Sequence, residues 1–136
     1  MSTSHVPVSA YMTASPHSVG AEQSLDRARS VMRAHGIRHL PVLHGGELVG
    51  IVSDRDIRLV EAFEDLDPTL ITVSDAMSQE VYSVPPSAPL DEVALEMSVK
   101  KYGSAVIMEG RKVVGILTTV DACRALADFV RAQRPS

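Results

Sequence analysis

Gly50-Ile51-Val52-Ser53-Asp54-Arg55-Asp56 and Gly115-Ile116-Leu117-Thr118-Thr119-Val120-Asp121 share one pattern: a glycine, two apolar residues, a hydroxyl residue, and an aspartate three positions later. The likeness extends outward from these stretches. Residues 8–57 align with residues 73–122 at a constant offset of 65, without a gap and with 13 identities in 50 positions. Met12 falls on Met77, Ser18-Val19 on Ser83-Val84, Leu25-Asp26 on Leu90-Asp91, and Met32 on Met97. Two copies of one supersecondary unit predict a pseudo-symmetric module with two equivalent clefts.

Each copy reads as β-α-β-β-α. A short helical turn at Pro7–Met12, repeated at Val73–Met77, leads into an extended piece ending at Val19 or Val84. A helix follows, with Ser24 as N-cap, Leu25, Ala28, Met32 and His35 on one face, and Gly36 as its stop. In the copy Leu90, Val93, Ala94 and Met97 make the same stripe, and the helix ends near Lys101. Two strands then flank a turn at His44-Gly45-Gly46, or at Glu109-Gly110-Arg111. A closing helix runs from near Ser53 to about Phe63, and its partner from near Thr118 to about Arg131. The expected organisation is a flexible N-terminus over 1–7, repeat one over 8–63, an acidic, Pro-stopped linker over 64–72, and repeat two over 73–136. The fold class is α/β (α+β), two small sheets with helices packed on one side of each.

Composition bounds the function. At 136 residues, with 45% hydrophobic and 22% charged residues, the chain has globular composition and room for one compact module. A net charge of −4 argues against a nucleic-acid partner held by a basic surface. No apolar run approaches the roughly 20 residues that cross a bilayer, and the polar start lacks an export signal's apolar core. Cys123 is the only cysteine, which excludes an internal disulfide and fits a cytoplasmic location.

The repeated motif has two physical readings. A glycine within a strand, such as Gly50 or Gly115, marks close approach of a ligand or of another backbone. Ser53 and Thr118 stand where a strand passes into a helix, beside free N–H groups suited to an anion. Asp56 and Asp121, one turn on, are placed to accept hydrogen bonds from a vicinal diol such as a ribose. The same atoms also make a capping box, in which hydroxyl and carboxylate satisfy backbone amides at the helix start. Sequence alone leaves both readings open.

These residues, with Tyr11-Met12-Thr13, Ala76-Met77-Ser78 and Gly36-Ile37-Arg38-His39-Leu40-Pro41-Val42, resemble a tandem pair of CBS domains, also called a Bateman module, over about residues 8–130. The resemblance implies two repeats packed through their sheets. It also implies clefts between them that sense adenosine-containing nucleotides, AMP, ADP or ATP, with S-adenosylmethionine or NAD ranked after these. Carried over, the ribose-holding roles fall on Asp56 and Asp121 and the phosphate-side roles on Ser53 and Thr118. Gly50-Ile51 and Gly115-Ile116 would supply part of the sandwich around the base, with apolar residues after Met12-Thr13 and Met77-Ser78. Arg38, His39 and Arg55 take the basic, phosphate-facing positions; their equivalents Gly103, Ser104 and Val120 do not. Two unequal sites are therefore expected.

Other chemistry finds little support in the residues. The five histidines show no familiar metal-ligand spacing, and no nucleophile–base pair is legible. Cys123 is read as a small core residue, and Arg27, Arg29, Arg33 and Arg38 as mostly a solvated helix face. The closing helix carries Val120, Ala122, Cys123, Leu126, Phe129 and Val130, more apolar surface than one side needs. The expectation is a non-enzymatic regulatory module with no obligatory cofactor, a homodimer that signals through its dimer or in trans to a protein partner. The alternative is a constitutive dimerisation or interaction module with vestigial clefts.

Overall fold

The computed structural model describes residues 5–63 and 65–135. Residues 1–4, most of the N-terminus expected to be flexible, and Glu64 of the linker lie outside the described residues. The chain divides into two compact units: residues 16–81 form one, and residues 5–15 with 82–135 form the other.

The contiguous unit holds β2 (Val19–Gly20), α1 (Leu25–His35), β3 (His39–His44), β4 (Glu47–Ser53), α2 (Asp54–Glu61) and the short α3 (Val73–Ala76). Its sheet has the order β2-β3-β4, with β2 parallel to β3 and β4 antiparallel to it. Helix α1 begins at Ser24, whose hydroxyl accepts from Arg27 N at 3.1 Å. It ends where Gly36 turns left-handed at φ 62°, a conformation that glycine adopts without steric cost. The β3–β4 turn places Gly45 and Gly46 at φ 58° and 83°, which matches the twist of a tight hairpin. Leu25, Ala28 and Met32 of α1 pack on Leu40, Val42 and Val52 of the sheet and on Ile57 of α2. His35 departs from the expected buried stripe; it is exposed and stacks on His17, with ring centroids 3.6 Å apart.

The two-segment unit repeats this plan. It holds a 3-10 turn (Val8–Ala10), β1 (Thr13–Ala14), β5 (Ser83–Val84), α4 (Leu90–Lys100), β6 (Ser104–Glu109), β7 (Lys112–Thr118) and α5 (Thr119–Ala132). The sheet order is β1-β7-β6-β5. Lys101 ends α4 in the left-handed region at φ 62°, the place Gly36 takes in the other copy. Val8, Val93, Met97, Ala105, Ile107 and Leu117 form its core.

The lead-in segments are exchanged between the copies. Val8, from repeat one, is fully buried in the core built mainly by repeat two, and Val73 is fully buried in the core built mainly by repeat one. Val6 O accepts from Leu90 N at 2.8 Å, and Ile71 O accepts from Leu25 N at the same distance. Each bond satisfies an otherwise orphaned amide at a helix start. Pro7 bridges Pro89 just as Thr72 bridges Ser24. Val6 and Pro7, expected within the flexible N-terminus, are thus tied down by backbone pairing.

Candidate functional site

Strand pairing builds the site in each unit. In the contiguous unit His39 of β3 lies directly opposite Ser53 of β4, and Asp56 follows on α2. Ser53 Oγ accepts from Asp56 N at 3.2 Å, while Asp56 Oδ2 accepts from Ser53 N at 2.8 Å and from Ser53 Oγ at 3.0 Å. In the other unit Ser104 stands opposite Thr118. Thr118 Oγ1 accepts from Asp121 N at 3.4 Å, and Asp121 Oδ2 accepts from Thr118 N at 2.9 Å and from Thr118 Oγ1 at 3.2 Å. A full capping box therefore closes the start of α2 and of α5.

The cap occupies only one carboxylate oxygen. Asp56 Oδ1 has no hydrogen-bond partner among the described residues, and the side chain is half-buried, so one oxygen stays available to a donor from outside the helix. Asp121 is more enclosed, 4% exposed, and its Oδ1 faces Arg124 Nη1 at 3.5 Å. Capping and ligand binding are therefore compatible at Asp56, whereas at Asp121 Arg124 already faces the second oxygen.

His39 is partly buried, and burial holds its imidazole below the ordinary histidine range; Arg38 adds to this, while Asp56 and Asp54 pull the other way. Near neutral pH it is an uncharged group beside the carboxylate. Arg55 is exposed with no ion pair among the described residues. The Arg38 carbonyl accepts from Asp54 N at 2.8 Å, but its side chain lines a different cleft, between α1 and α2. The structure brings His39, Ser53 and Asp56 together, while Arg38, whose charge still reaches His39, lines the cleft between α1 and α2.

The strand glycines are occupied by protein. A Cβ at Gly50 would stand 2.8 Å from Ser78 O and against Met77, and one at Gly115 would meet Met12 and stand 3.2 Å from Thr13 O. Of the two causes that a strand glycine signals, close approach of another chain segment operates at both positions. Ile51 exchanges both backbone hydrogen bonds with Ser78, at 3.0 and 2.9 Å, and Ile116 pairs with Thr13. Ile51 is half-buried and Ile116 buried. The sequence signal for these contacts is the exact repeat of Met12 and Met77 at the offset that relates Gly50 to Gly115.

Two further readings change. Cys123 is exposed, not a core residue, because α5 turns the side of Asp121 inward and a residue two positions on lies about 200° around the helix. Arg29, Arg33 and Arg38 line a concavity with Arg58 of α2 instead of only facing solvent. Among the described residues no group of three or more His, Cys, Asp or Glu could hold a metal ion. No helix among them is long and apolar enough to cross a membrane.

Comparison with known proteins agrees with this architecture. The family model for the CBS domain matches residues 8–62 and again residues 73–128. Hypoxic response protein 1 of Mycobacterium tuberculosis is 29% identical over 127 residues, covering 89% of each chain. A Vibrio cholerae protein named for acetoin utilization, AcuB, superposes with a TM-score of 0.86 at 29% identity, covering 95% of this chain and 97% of that one. The CBS domain pair of protein MJ0100, solved in complex with 5′-methylthioadenosine and S-adenosyl-L-methionine, superposes with a TM-score of 0.81 at 26% identity, covering 92% and 98%.

Proposed function

We propose that this chain, which belongs to the CBS domain family, is a non-enzymatic regulatory module that binds an adenosine-containing ligand at its Ser53–Asp56 site. The observation that carries the proposal is the half-used carboxylate of Asp56. One oxygen holds the helix cap, and the other is left for a ribose hydroxyl. His39 opposite Ser53 and the unpaired Arg55 supply groups able to meet the phosphate side. Ile51, beside Gly50, is half-buried and offers apolar surface to the base; Ile116, beside Gly115, takes the equivalent place at the Thr118–Asp121 site. The adenosine ligands of the MJ0100 domain pair support the ligand class. Among adenosine ligands, AMP, ADP and ATP are favoured over S-adenosylmethionine and NAD, because each extra phosphate gains from Arg55 and from protonation of His39. At the equivalent site Thr118 and Asp121 keep the geometry but lack the basic residues, which makes it the weaker of the two.

The ligand acts in the cytoplasm by favouring one arrangement of the module, and its leverage cannot exceed its differential affinity for the two arrangements. The output passes through a homodimer or in trans to a protein partner. Val120, Leu126, Phe129 and Val130 of α5 are all exposed, which supports self-association. A monomer by light scattering at micromolar concentration contradicts the dimer. Titration calorimetry with AMP, ADP, ATP, NAD and S-adenosylmethionine tests the ligand class. A second reading, a constitutive dimerisation module with vestigial clefts, draws on the completeness of both capping boxes without any ligand; silence toward all five ligands would establish it.

A further inference from the structure

We propose that the cleft between α1 and α2 is a second, separate site that binds a small phosphate-type dianion. The cleft lies wholly within the contiguous unit and has a volume of about 430 Å³. Arg29 and Arg33 of α1, Arg38 after its end, and Arg58 of α2 line it, together with the carboxylates of Asp54 and Glu61. Both carboxylates are already engaged. Arg58 Nε donates to Asp54 Oδ2 at 2.9 Å, and Arg29 pairs with Glu61 and also donates to Asp26 at 2.7 Å. Arg33 and Arg38 are exposed, and their side chains make no hydrogen bond or ion pair among the described residues.

Counting Asp26, which pairs with Arg29 from outside the lining, four arginines meet three carboxylates, and Arg33 and Arg38 are the two left without a partner, on a chain whose net charge is −4. Two unpaired guanidiniums line one concavity. Their planar forks match tetrahedral oxyanions in bidentate fashion. The two internal ion pairs set the walls and leave Arg33 and Arg38 to the ligand. The ligand chemistry is thus a doubly charged phosphate group, either free or carried on a nucleotide.

The duplication adds a contrast between the two units. At the offset of 65, Arg29, Arg33, Arg38, Asp54, Arg58 and Glu61 become Ala94, Ser98, Gly103, Thr119, Cys123 and Leu126. All six charges are absent from the copy, acids and arginines alike, while the apolar lining residue Met32 keeps its equivalent, Met97. The charged cleft therefore belongs to one repeat alone.

The test is calorimetric titration of the full chain with inorganic pyrophosphate, adenosine and ADP, using wild type, the double variant Arg33→Gln/Arg38→Gln, and Asp56→Ala. Because Arg33 and Arg38 are exposed and unpaired, the double variant keeps its fold, which its melting curve verifies. Pyrophosphate is expected to bind wild type and Asp56→Ala equally, and to lose about tenfold or more in affinity for the double variant. Adenosine is expected to follow the opposite pattern, sensitive to Asp56→Ala only, so each site's failure is seen separately. Competition by ADP against pyrophosphate in Asp56→Ala identifies a nucleotide's phosphates as an occupant, and its absence identifies a free phosphate compound; both support the site. No binding of pyrophosphate to wild type, undiminished binding by the double variant, or loss of binding in Asp56→Ala overturns it.

Discussion

The unit of residues 16–81 and the unit of residues 5–15 with 82–135 arise from one duplicated sequence, yet they place their polar side chains differently. In the contiguous unit charge gathers in the α1–α2 cleft and beside Asp56. In the two-segment unit it gathers where the lead-in segment meets α5. There Tyr11 donates its hydroxyl to Asp128 at 2.6 Å, and Arg124 donates to Tyr11 O at 2.9 Å and lies 5.5 Å from the Tyr11 ring centre. The equivalents of Tyr11, Arg124 and Asp128 are Ala76, Leu59 and Phe63, which make no such latch. What both units retain is what the backbone needs: a methionine against a strand glycine, and a capping box at the closing helix. Side chains outside those constraints diverged, and the two sites diverged with them.

The strongest way to break the comparison is to fill the strand glycines. At Gly50 a Cβ meets a backbone carbonyl at 2.8 Å, whereas at Gly115 the backbone carbonyl is 3.2 Å away and the nearer atoms belong to the flexible Met12. Gly50→Ala is expected to cost about 1–3 kcal/mol, as overpacking generally does, and Gly115→Ala less, both read by urea unfolding. The opposite order would contradict the closer approach of the backbone carbonyl at Gly50. Next comes removal of the caps. Asp56→Ala and Asp121→Ala each lose a capping interaction worth roughly 1 kcal/mol, and Asp121→Ala loses more because its carboxylate is buried and faces Arg124. Equal losses would remove the distinction between an available and an engaged carboxylate.

The difference between His39 and Ser104 predicts a pH dependence confined to one unit. The His39 pKa is lower in the folded chain than in the unfolded one, so between the two values the unfolded chain binds more protons and stability falls as pH falls. The loss begins near the ordinary histidine range and is complete below the folded value; His39→Gln removes His39's share of that slope in unfolding measured against pH. An anionic ligand beside His39 raises its pKa, so binding takes up protons and strengthens as pH falls. The smallest effect concerns the latch. The Asp128 hydrogen bond raises the Tyr11 phenol pKa, and Asp128→Asn is expected to bring its ultraviolet titration back toward the ordinary tyrosine value without altering ligand binding. An unchanged titration would show that the latch does not form in solution.

Much of each unit was legible because it depends on local chemistry. Ser24 and Gly36 bound α1, the Gly45-Gly46 pair sets the hairpin, and both capping boxes follow from their three-residue spacing. The exchange of lead-in segments was not legible. Met12 fits against Gly115, but the repeat presents Gly50 in the same setting, and a strand of two residues, Thr13–Ala14, cannot choose its partner from local propensity. The arginine cleft was hidden for a related reason. Arg33 and Arg38 read as a solvated face until the packing of α1 on α2 brings Arg58, Asp54 and Glu61 opposite them. His35 and Cys123 were misplaced because each sits at the margin of an apolar stripe, where the helix has already turned its side chain to water.

The most direct test is titration calorimetry of wild type, Asp56→Ala and Asp121→Ala with the panel of AMP, ADP, ATP, NAD and S-adenosylmethionine. At least one adenine nucleotide is expected to bind wild type, with Asp56→Ala removing the tighter event and Asp121→Ala leaving it in place. No heat from any of the five ligands, or identical binding by wild type and Asp56→Ala, would contradict a nucleotide site at Ser53–Asp56 and leave the capping box as the whole purpose of the motif.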